Sequence, residues 1–228
     1  MKSWCIGQPS GTYVAKMEDV LDIYQRPYDP KRPVVCLDET SKELHATPHG
    51  SLPLKPGKPR REDYAYERHG VANLFLMVEP LRGWRKVCVT DRRTKRDFAE
   101  QLRQLADDDL RAAEVIVLIT DNLNTHGPGA LYERFDAEEA HRLAAKFEWH
   151  YTPEHASWLN IAECELSVLA GQCLGQRIPD KDTLIREVAA WEARRNQTCA
   201  KVDWQFTTAE ARIKLKRLYP VVKEQNLS

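Results

Sequence analysis

The stretch that decides the fold lies at residues 115–121 and reads VIVLITD. A continuous run of apolar and β-branched residues predicts a central strand that helices cover on both faces. Asp121 follows this strand directly, and a strand end holds a side chain firmly while leaving it open to solvent. The run VVCLD at residues 34–38 repeats the pattern, with Asp38 at its end. Either aspartate alone is typical of a turn, but the pair favours a divalent-metal site, because Mg²⁺ prefers carboxylate oxygens.

The remaining pattern predicts an α/β protein with a mixed sheet flanked by helices and with extra C-terminal helices. Further strands are expected at 74–78, 84–90 and 147–151, the first two forming a hairpin. Helical spacing of apolar residues predicts helices at 13–25, 157–173, 181–195 and 207–218, and two more that begin near 94 and 136. The pairs Thr94/Asp97 and Thr207/Glu210 resemble capping boxes, and residues 46–60 are expected to form an exposed loop.

Composition bounds the class of protein. The chain has 228 residues, 42% hydrophobic and 30% charged, which is ordinary for a globular protein with one good-sized core. No apolar run approaches the ~20 residues of a membrane span, and no secretory signal opens the chain. The six cysteines form no CxxC pair and are expected to be reduced thiols, as in the cytoplasm, with a zinc site disfavoured.

Charge is unevenly distributed although the formal net charge is zero. Basic residues concentrate at 55–61, at 82–96 and in the final helix at 212–217. Such clusters either track a phosphate backbone or are solvated surface. Trp84, Trp149 and Trp158 are expected in the core or covering the sheet rather than as platforms for bases.

A third acid is harder to choose from periodicity. On the helix that begins at Ser157, Glu163 and Glu165 flank the apolar stripe, about 200° apart at 100° per residue. Only one of the two can face the site of the aspartates. Helical geometry alone leaves both open.

Three motifs carry a family resemblance. LDET at 37–40, TDNLNTH at 120–126 and LNIAE at 159–163 resemble the acidic motifs of bacterial insertion-sequence transposases of the mariner superfamily. These are DDE enzymes with an RNase H-like fold. The asparagine three residues before the acid marks the last motif, so the resemblance selects Glu163. The flanking segments WCI, MEDVLDIY and YERHG are also similar, so the likeness covers nearly the whole chain.

The resemblance implies a function and a cofactor. Asp38, Asp121 and Glu163 would hold two Mg²⁺ (or Mn²⁺) ions for cleavage and strand transfer of double-stranded DNA at transposon ends and target. It implies a bacterial protein that is associated with the nucleoid, acts on DNA as a homodimer and has no membrane partner. Residues 1–33 would be a helical arm that joins helix-turn-helix modules of the family, 34–178 the catalytic core, and 179–228 a helical extension of the same domain.

Neighbouring polar residues are expected to support this chemistry. Glu39 would assist the metal ligands or lie in an exposed turn. Asn122 and His126 would orient Asp121 or contact a phosphate, with His126 as a general base less favoured. Asn160 would position Glu163 or the DNA backbone, or simply cap a helix. DNA phosphates would be bound by a basic set: Lys55, Lys58, Arg60, Arg61, Arg92 and Arg93.

Two other functions stay open at this point. One is a truncated or catalytically idle transposase that only binds DNA or protein. The other is an RNase H-like nuclease that does not transpose.

Overall fold

The computed structural model describes residues 10–48, 51–52, 55–59, 61–62, 64–121, 123 and 125–221, with the backbone alone at 51–52 and 61–62. Its main sheet has the strand order β5-β4-β1-β6-β7. The strands are β1 Val34–Ala46, β2 Ser51–Leu52, β3 Arg61–Glu62, β4 Glu67–Glu79, β5 Trp84–Thr90, β6 Ile116–Thr120 and β7 Phe147–Tyr151. β1, β6 and β7 are parallel, and β4 is antiparallel to β1 and β5. The mixed sheet predicted from the sequence is therefore confirmed.

Helices cover both faces of this sheet. They are α1 Gly11–Tyr24, α2 Lys95–Gln104, α3 Gly129–Tyr132, α4 Ala137–Lys146, α5 Ile161–Leu169, α6 Lys181–Gln197 and α7 Thr208–Lys214. Both expected capping boxes are present, at Thr94 with Asp97 and at Thr207 with Glu210. The one-turn α3 has no sequence prediction, because four residues are too few to display a helical period. In the described part of the chain, no helix is long and apolar enough to cross a membrane.

The two faces of the sheet pack against different helices. Cys36 packs with α1, α5 and α6 on one face, whereas Val35 and Leu37 pack with α2 and α4 on the other. Successive side chains of a strand alternate between faces. Asp38 is therefore directed to the α5 face and Glu39 to the α2 face.

β1 does not end at Asp38, as the sequence suggested, but continues to Ala46. Its parallel pairing with β6 stops at Cys36 opposite Ile119, while its antiparallel pairing with β4 continues to Ala46 opposite Glu67. The β4 ladder thus keeps β1 extended after its other neighbour has ended. Asp38 lies in the middle of a strand, yet beside the gap left where β6 stops.

A buried ion cluster attaches the helices behind the site to the sheet. Arg85 on β5 donates through Nε to Glu165 Oε2 at 3.0 Å, and Arg195 on α6 donates to Glu165 Oε1 at 2.7 Å. Arg85 and Glu165 are almost fully buried. Removing one partner of such a group would leave the others charged and unpaired, which is costly. Glu165 therefore belongs to the framework of the fold.

Candidate functional site

The sheet register brings the two predicted aspartates together. Cys36 pairs with Ile119, and Asp38 and Asp121 each lie two residues further along these parallel neighbours. The start of α5 closes over the same edge, and Glu163 stands in its first turn. Asp38, Asp121 and Glu163 all line one cavity of about 280 Å³. The three acids named from the sequence thus share one cavity, although they come from three separate elements.

Asp38 lies in a strongly negative environment. Its Oδ1 accepts a hydrogen bond from the backbone N–H of Glu39 at 2.7 Å. Burial, together with the negative charges of Asp121, Glu163 and Glu39, raises the pKa of Asp38 to about 7. Among the described residues that line the cavity there is no lysine or arginine to offset these charges. Such an environment favours a bound cation.

Packing distinguishes Glu163 from Glu165. Glu163 is only partly buried, and its carboxylate accepts no hydrogen bond from the described residues. A carboxylate in the first turn also lies favourably at the positive end of the helix dipole. Glu165 points the opposite way into the arginine cluster. Of the two acids that helical periodicity left open, Glu163 faces the cavity and Glu165 faces the arginine cluster.

Asn160 fastens the start of α5 to β1. Its side chain is buried and caps the helix, with Oδ1 accepting from the Ala162 N–H at 3.1 Å. Its Nδ2 donates to the Leu37 carbonyl at 3.1 Å and lies 3.4 Å from Asp38 Oδ2. Asn160 is therefore a helix cap, as one of the expectations had it, and it also contacts Asp38.

Tyr24 supports the same junction from α1. Its buried hydroxyl donates to the Leu159 carbonyl at 2.7 Å and accepts from the Ile161 N–H at 3.3 Å. Asn160 and Tyr24 together fix the point where the chain turns into α5. The position of Glu163 follows from that turn.

His126 links two acids across the sheet edge. The buried ring packs on Phe98, with 4.7 Å between ring centroids. Its Nε2 lies 2.9 Å from Glu39 Oε1, and its Nδ1 contacts Asp121 Oδ1. Burial opposes protonation, but the hydrogen bonds to Asp121 and Glu39 outweigh it and raise the pKa of His126 to about 9. An imidazolium at neutral pH donates from both nitrogens and so orients Asp121.

The burial of Glu39 and His126 bears on the alternatives that the sequence left open for them. The Glu39 side chain is only 5% exposed, so it does not lie in an exposed turn. His126 is enclosed, and its raised pKa of about 9 disfavours a general-base role. Asp121 Oδ2 has no hydrogen-bond partner among the described residues.

Four of the predicted DNA-binding residues lie on exposed turns of the described chain. Lys55 and Lys58 are exposed on a tight turn between β1 and β4, and Arg92 and Arg93 are exposed between β5 and α2. None of these four lines the cavity. Asn122, Arg60 and the side chain of Arg61 lie outside the described residues.

The structure adds a cavity wall that the sequence reasoning missed. The segment after β7 contributes Thr152, Pro153, Glu154, His155 and Ser157. β7 is a parallel strand next to β6, so its end reaches the same sheet edge. That rule could have identified the segment.

The tryptophan expectations divide. Trp84 and Trp149 pack against the core on the α2 face, as predicted. The prediction for Trp158 is wrong, because its side chain is 41% exposed. A short helical turn at Ser157–Leu159 buries Leu159 instead and leaves Trp158 outside.

The donor chemistry of the cavity fits a hard divalent cation, since its acids supply carboxylate oxygens. Within the described part of the chain, no three His, Cys, Asp or Glu side chains form a ready coordination cluster. Three like charges repel, and Asp121 is held by His126, so the carboxylates surround a common space rather than meet at one point.

Comparisons with known proteins agree with this architecture. The family model described as "DDE superfamily endonuclease" matches residues 33–185. Among curated proteins, a search found no significant match.

Solved structures of the mariner transposase Mos1 are similar in fold. The Mos1 paired end complex with Mn gives a TM-score of 0.56 at 14% identity, covering 88% of this chain and 61% of that one. The Mos1 strand transfer complex gives 0.56 at 14%, covering 90% and 66%. The Mos1 paired end complex with Mg gives 0.53 at 14%, covering 88% and 63%. The chain thus spans less than two thirds of these Mos1 chains, and the likeness confirms the RNase H-like fold.

Proposed function

Because this chain belongs to the DDE superfamily endonucleases, we propose that it is the catalytic domain of a metal-dependent DNA transposase. The observation that carries the proposal is the cavity lined together by Asp38, Asp121 and Glu163. These residues come from β1, from the end of β6 and from the first turn of α5. The reaction would be phosphodiester cleavage and strand transfer at transposon ends.

Asp38, Asp121 and Glu163 are proposed as ligands for two Mg²⁺ or Mn²⁺ ions. Structures of Mos1 with Mn and with Mg support the choice of metal by analogy. Bound ions would activate the attacking water or DNA 3′-hydroxyl and stabilise the departing oxygen. The raised pKa of Asp38 means that its proton is released when a cation binds near neutral pH.

The surrounding residues are proposed to hold these ligands in place. His126 fixes one oxygen of Asp121 and is itself fixed by Glu39. Asn160 ties the start of α5 to the strand that carries Asp38. Such outer contacts set the orientation of metal ligands. A supporting role for Asn122 stays a prediction from the sequence.

Double-stranded DNA is the proposed partner. Lys55, Lys58, Arg60, Arg61, Arg92 and Arg93 are proposed to bind its phosphates, which would make the affinity dependent on salt. A homodimer that joins two DNA ends is proposed by analogy with the Mos1 paired end complexes. Bacterial origin and association with the nucleoid rest on the family resemblance and belong to the same proposal.

We also propose the division into a helical arm at 1–33, a core at 34–178 and a helical extension at 179–228. Helices α6 and α7 pack in the same apolar cluster as Cys36 and Leu76 of the sheet. They contribute Leu184, Val188 and Trp191 from α6 and Ala211 from α7. This shared cluster supports the extension as part of one domain. Met17, Val20 and Leu21 of α1 join the cluster too, so part of the arm packs onto the core.

Nicking of a supercoiled plasmid tests the function. The purified chain should convert supercoiled plasmid to open circles with Mg²⁺ or Mn²⁺ and not with EDTA. Asp121→Asn and Glu163→Gln should abolish nicking, because each removes a ligand charge. Glu187→Gln is the matched control, since Glu187 is an exposed acid on α6 and should leave nicking unchanged.

Each alternative function has its own outcome. If the chain binds DNA but no metal supports nicking, it is a binding module and the catalytic proposal fails. If it nicks but never joins a precut 3′-end to a target plasmid, it is a nuclease without strand transfer. Equal nicking by the chain and Asp121→Asn would show that the activity comes from a contaminant.

A further inference from the structure

A second groove adjoins the catalytic cavity and differs from it in charge. It has a volume of about 680 Å³ and lies between the segment that precedes α5, the start of α1, and the end of α7 with the residues that follow it. Lys214, Lys216 and Arg217 line it, and no acidic residue does so among those described. Lys214 is bonded to Glu210, but Lys216 and Arg217 are exposed and have no acid partner within the described residues. The groove thus carries uncompensated positive charge next to a cavity of negative charge.

His155 connects the two spaces. It lines both the catalytic cavity and the groove. Its backbone has a φ of 60°, a left-handed conformation that is uncommon for a residue with a side chain. The loop after β7 therefore turns sharply at the junction. A strand that leaves the catalytic cavity past His155 enters the basic groove.

Trp158 forms an aromatic wall of the groove. Its side chain is 41% exposed, although tryptophan in a folded domain is usually well buried. The ring is supported at its edge by Phe206, at 6.2 Å between centroids in a T-shaped arrangement. Phe206 in turn lies under the ammonium group of Lys214, at 5.5 Å. The indole is thus a supported ring that keeps open surface beside three cations.

A supported aromatic ring beside a row of cations is how proteins bind unpaired nucleic acid, since bases stack on the ring and phosphates contact the cations. We propose that this groove, defined by His155, Trp158, Lys214, Lys216 and Arg217, binds an unpaired segment of the DNA strand that leaves the catalytic cavity. This inference rests on the proposed function, because the path of the strand from cavity to groove assumes that the cavity holds the scissile phosphate. It assigns the groove to single-stranded rather than duplex DNA.

Binding of labelled oligonucleotides in EDTA tests the proposal without cleavage. One probe is a blunt duplex, and the other is the same duplex with a single-stranded arm. Fluorescence anisotropy should show tighter binding of the armed duplex. Trp158→Ala should weaken binding to the armed duplex about tenfold and leave the blunt duplex unaffected. Trp158→Phe should keep most of the preference, because it retains a ring.

The contribution of the cations is measured separately, from the salt dependence of binding. Lys216→Ala with Arg217→Ala should weaken binding to the armed duplex and lower the slope of log affinity against log salt by about 1.4, at 0.7 per phosphate contact on a single strand. Tyr132→Ala and Arg111→Ala are matched controls, since both side chains are exposed on elements of the opposite face and should change nothing.

Several results would overturn the inference. These are an unchanged preference in Trp158→Ala, an equal loss in Tyr132→Ala, and no binding of either probe by the unaltered chain. A Trp158→Ala variant that changes from dimer to monomer in gel filtration, with DNA binding intact, would assign the groove to self-association instead. If the chain fails to nick plasmid but still binds the armed duplex more tightly than the blunt duplex, only the catalytic proposal fails. If the chain nicks plasmid normally but binds the armed and blunt duplexes equally, only this inference fails.

Discussion

Asp38 is a carboxyl group whose protonation the surrounding fold controls. Its neighbours Asp121, Glu163 and Glu39 are acids, and burial removes most of the water that would solvate its charge. The folded state therefore holds a proton on Asp38 up to a pH of about 7, whereas the unfolded chain releases it near 4. Between these values the native state binds more protons than the unfolded state. Stability consequently falls as the pH rises through this window.

Replacement of Asp38 by Asn should flatten this pH dependence. In EDTA, the free energy of unfolding of the unaltered chain should decline by a few kcal/mol between about pH 4 and pH 7, and that of Asp38→Asn should decline much less. Urea unfolding at a series of pH values measures both. Parallel curves for the two proteins would show that Asp38 has an ordinary pKa. Added Mn²⁺ should restore stability at pH 7 in the unaltered chain, since a cation offsets the charge.

His126 loses its proton in a later pH window, with the same sign of effect on stability. Its folded pKa of about 9 lies above the ordinary value of 6.5, so its ion pairs contribute fully below pH 6.5 and are lost as the pH rises through about 9. Stability should therefore fall again between pH 6.5 and 9. Glu39→Gln removes one of the partners and should reduce this second decline. An identical decline in Glu39→Gln would contradict the hydrogen-bond pairing.

At the scale of elements, the sequence predicted the sheet well because the apolar runs that mark its strands are local features of the chain. The run VIVLITD contains the interior strand β6, which ends at Thr120 directly before Asp121, as expected. The length of β1 could not be predicted, because after Asp38 its residues are mostly polar and only the β4 ladder holds them extended. The third acid was undetermined for a similar reason. Glu163 and Glu165 differ only in what they contact. The partners of Glu165, Arg85 and Arg195, are distant from it in sequence, so a local pattern cannot reveal them.

The Glu165 cluster gives a stability prediction for α5 and α6. Glu165→Gln should lower the free energy of unfolding by about 3 kcal/mol, because Arg85 and Arg195 lose their shared counter-charge in a buried place. Glu187 is exposed on α6, so Glu187→Gln should change the free energy of unfolding by less than about 0.5 kcal/mol. Urea denaturation compares them. Equal stability of the two variants would mean that the cluster contributes little to the fold.

The turn between β4 and β5 gives a second prediction at this scale. Gly83 has a φ of 72°, and a Cβ there would lie 2.6 Å from the Cys199 backbone. Gly57 has a similar φ of 73° but open space around it. Gly57→Ala should lower the free energy of unfolding by about 1 kcal/mol, from the backbone conformation alone. Gly83→Ala should lower it by clearly more, because the new Cβ also meets the Cys199 backbone. Thermal melts of both variants measure the difference, and equal losses would show that Cys199 can move aside freely.

For the whole molecule, the class of fold and the order of its elements were more accessible from the sequence than the surroundings of the three candidate acids. The roles of Asn160 and His126 depend on contacts with Leu37 and Glu39, which are more than 80 positions away. The exposure of Trp158 depends on a short helical turn that has no periodic signature. Features fixed by local pattern were accessible from the sequence, and features fixed by distant contacts were not.

Three carboxylates from separate elements are proposed to form one metal site. The most direct measurement is the anomalous difference density of a crystal soaked in Mn²⁺. We expect manganese density in the cavity, coordinated by Asp38, Asp121 and Glu163, and we expect this density to be lost in Asp121→Asn. Manganese bound elsewhere with the cavity empty, or density unchanged by Asp121→Asn, would contradict it.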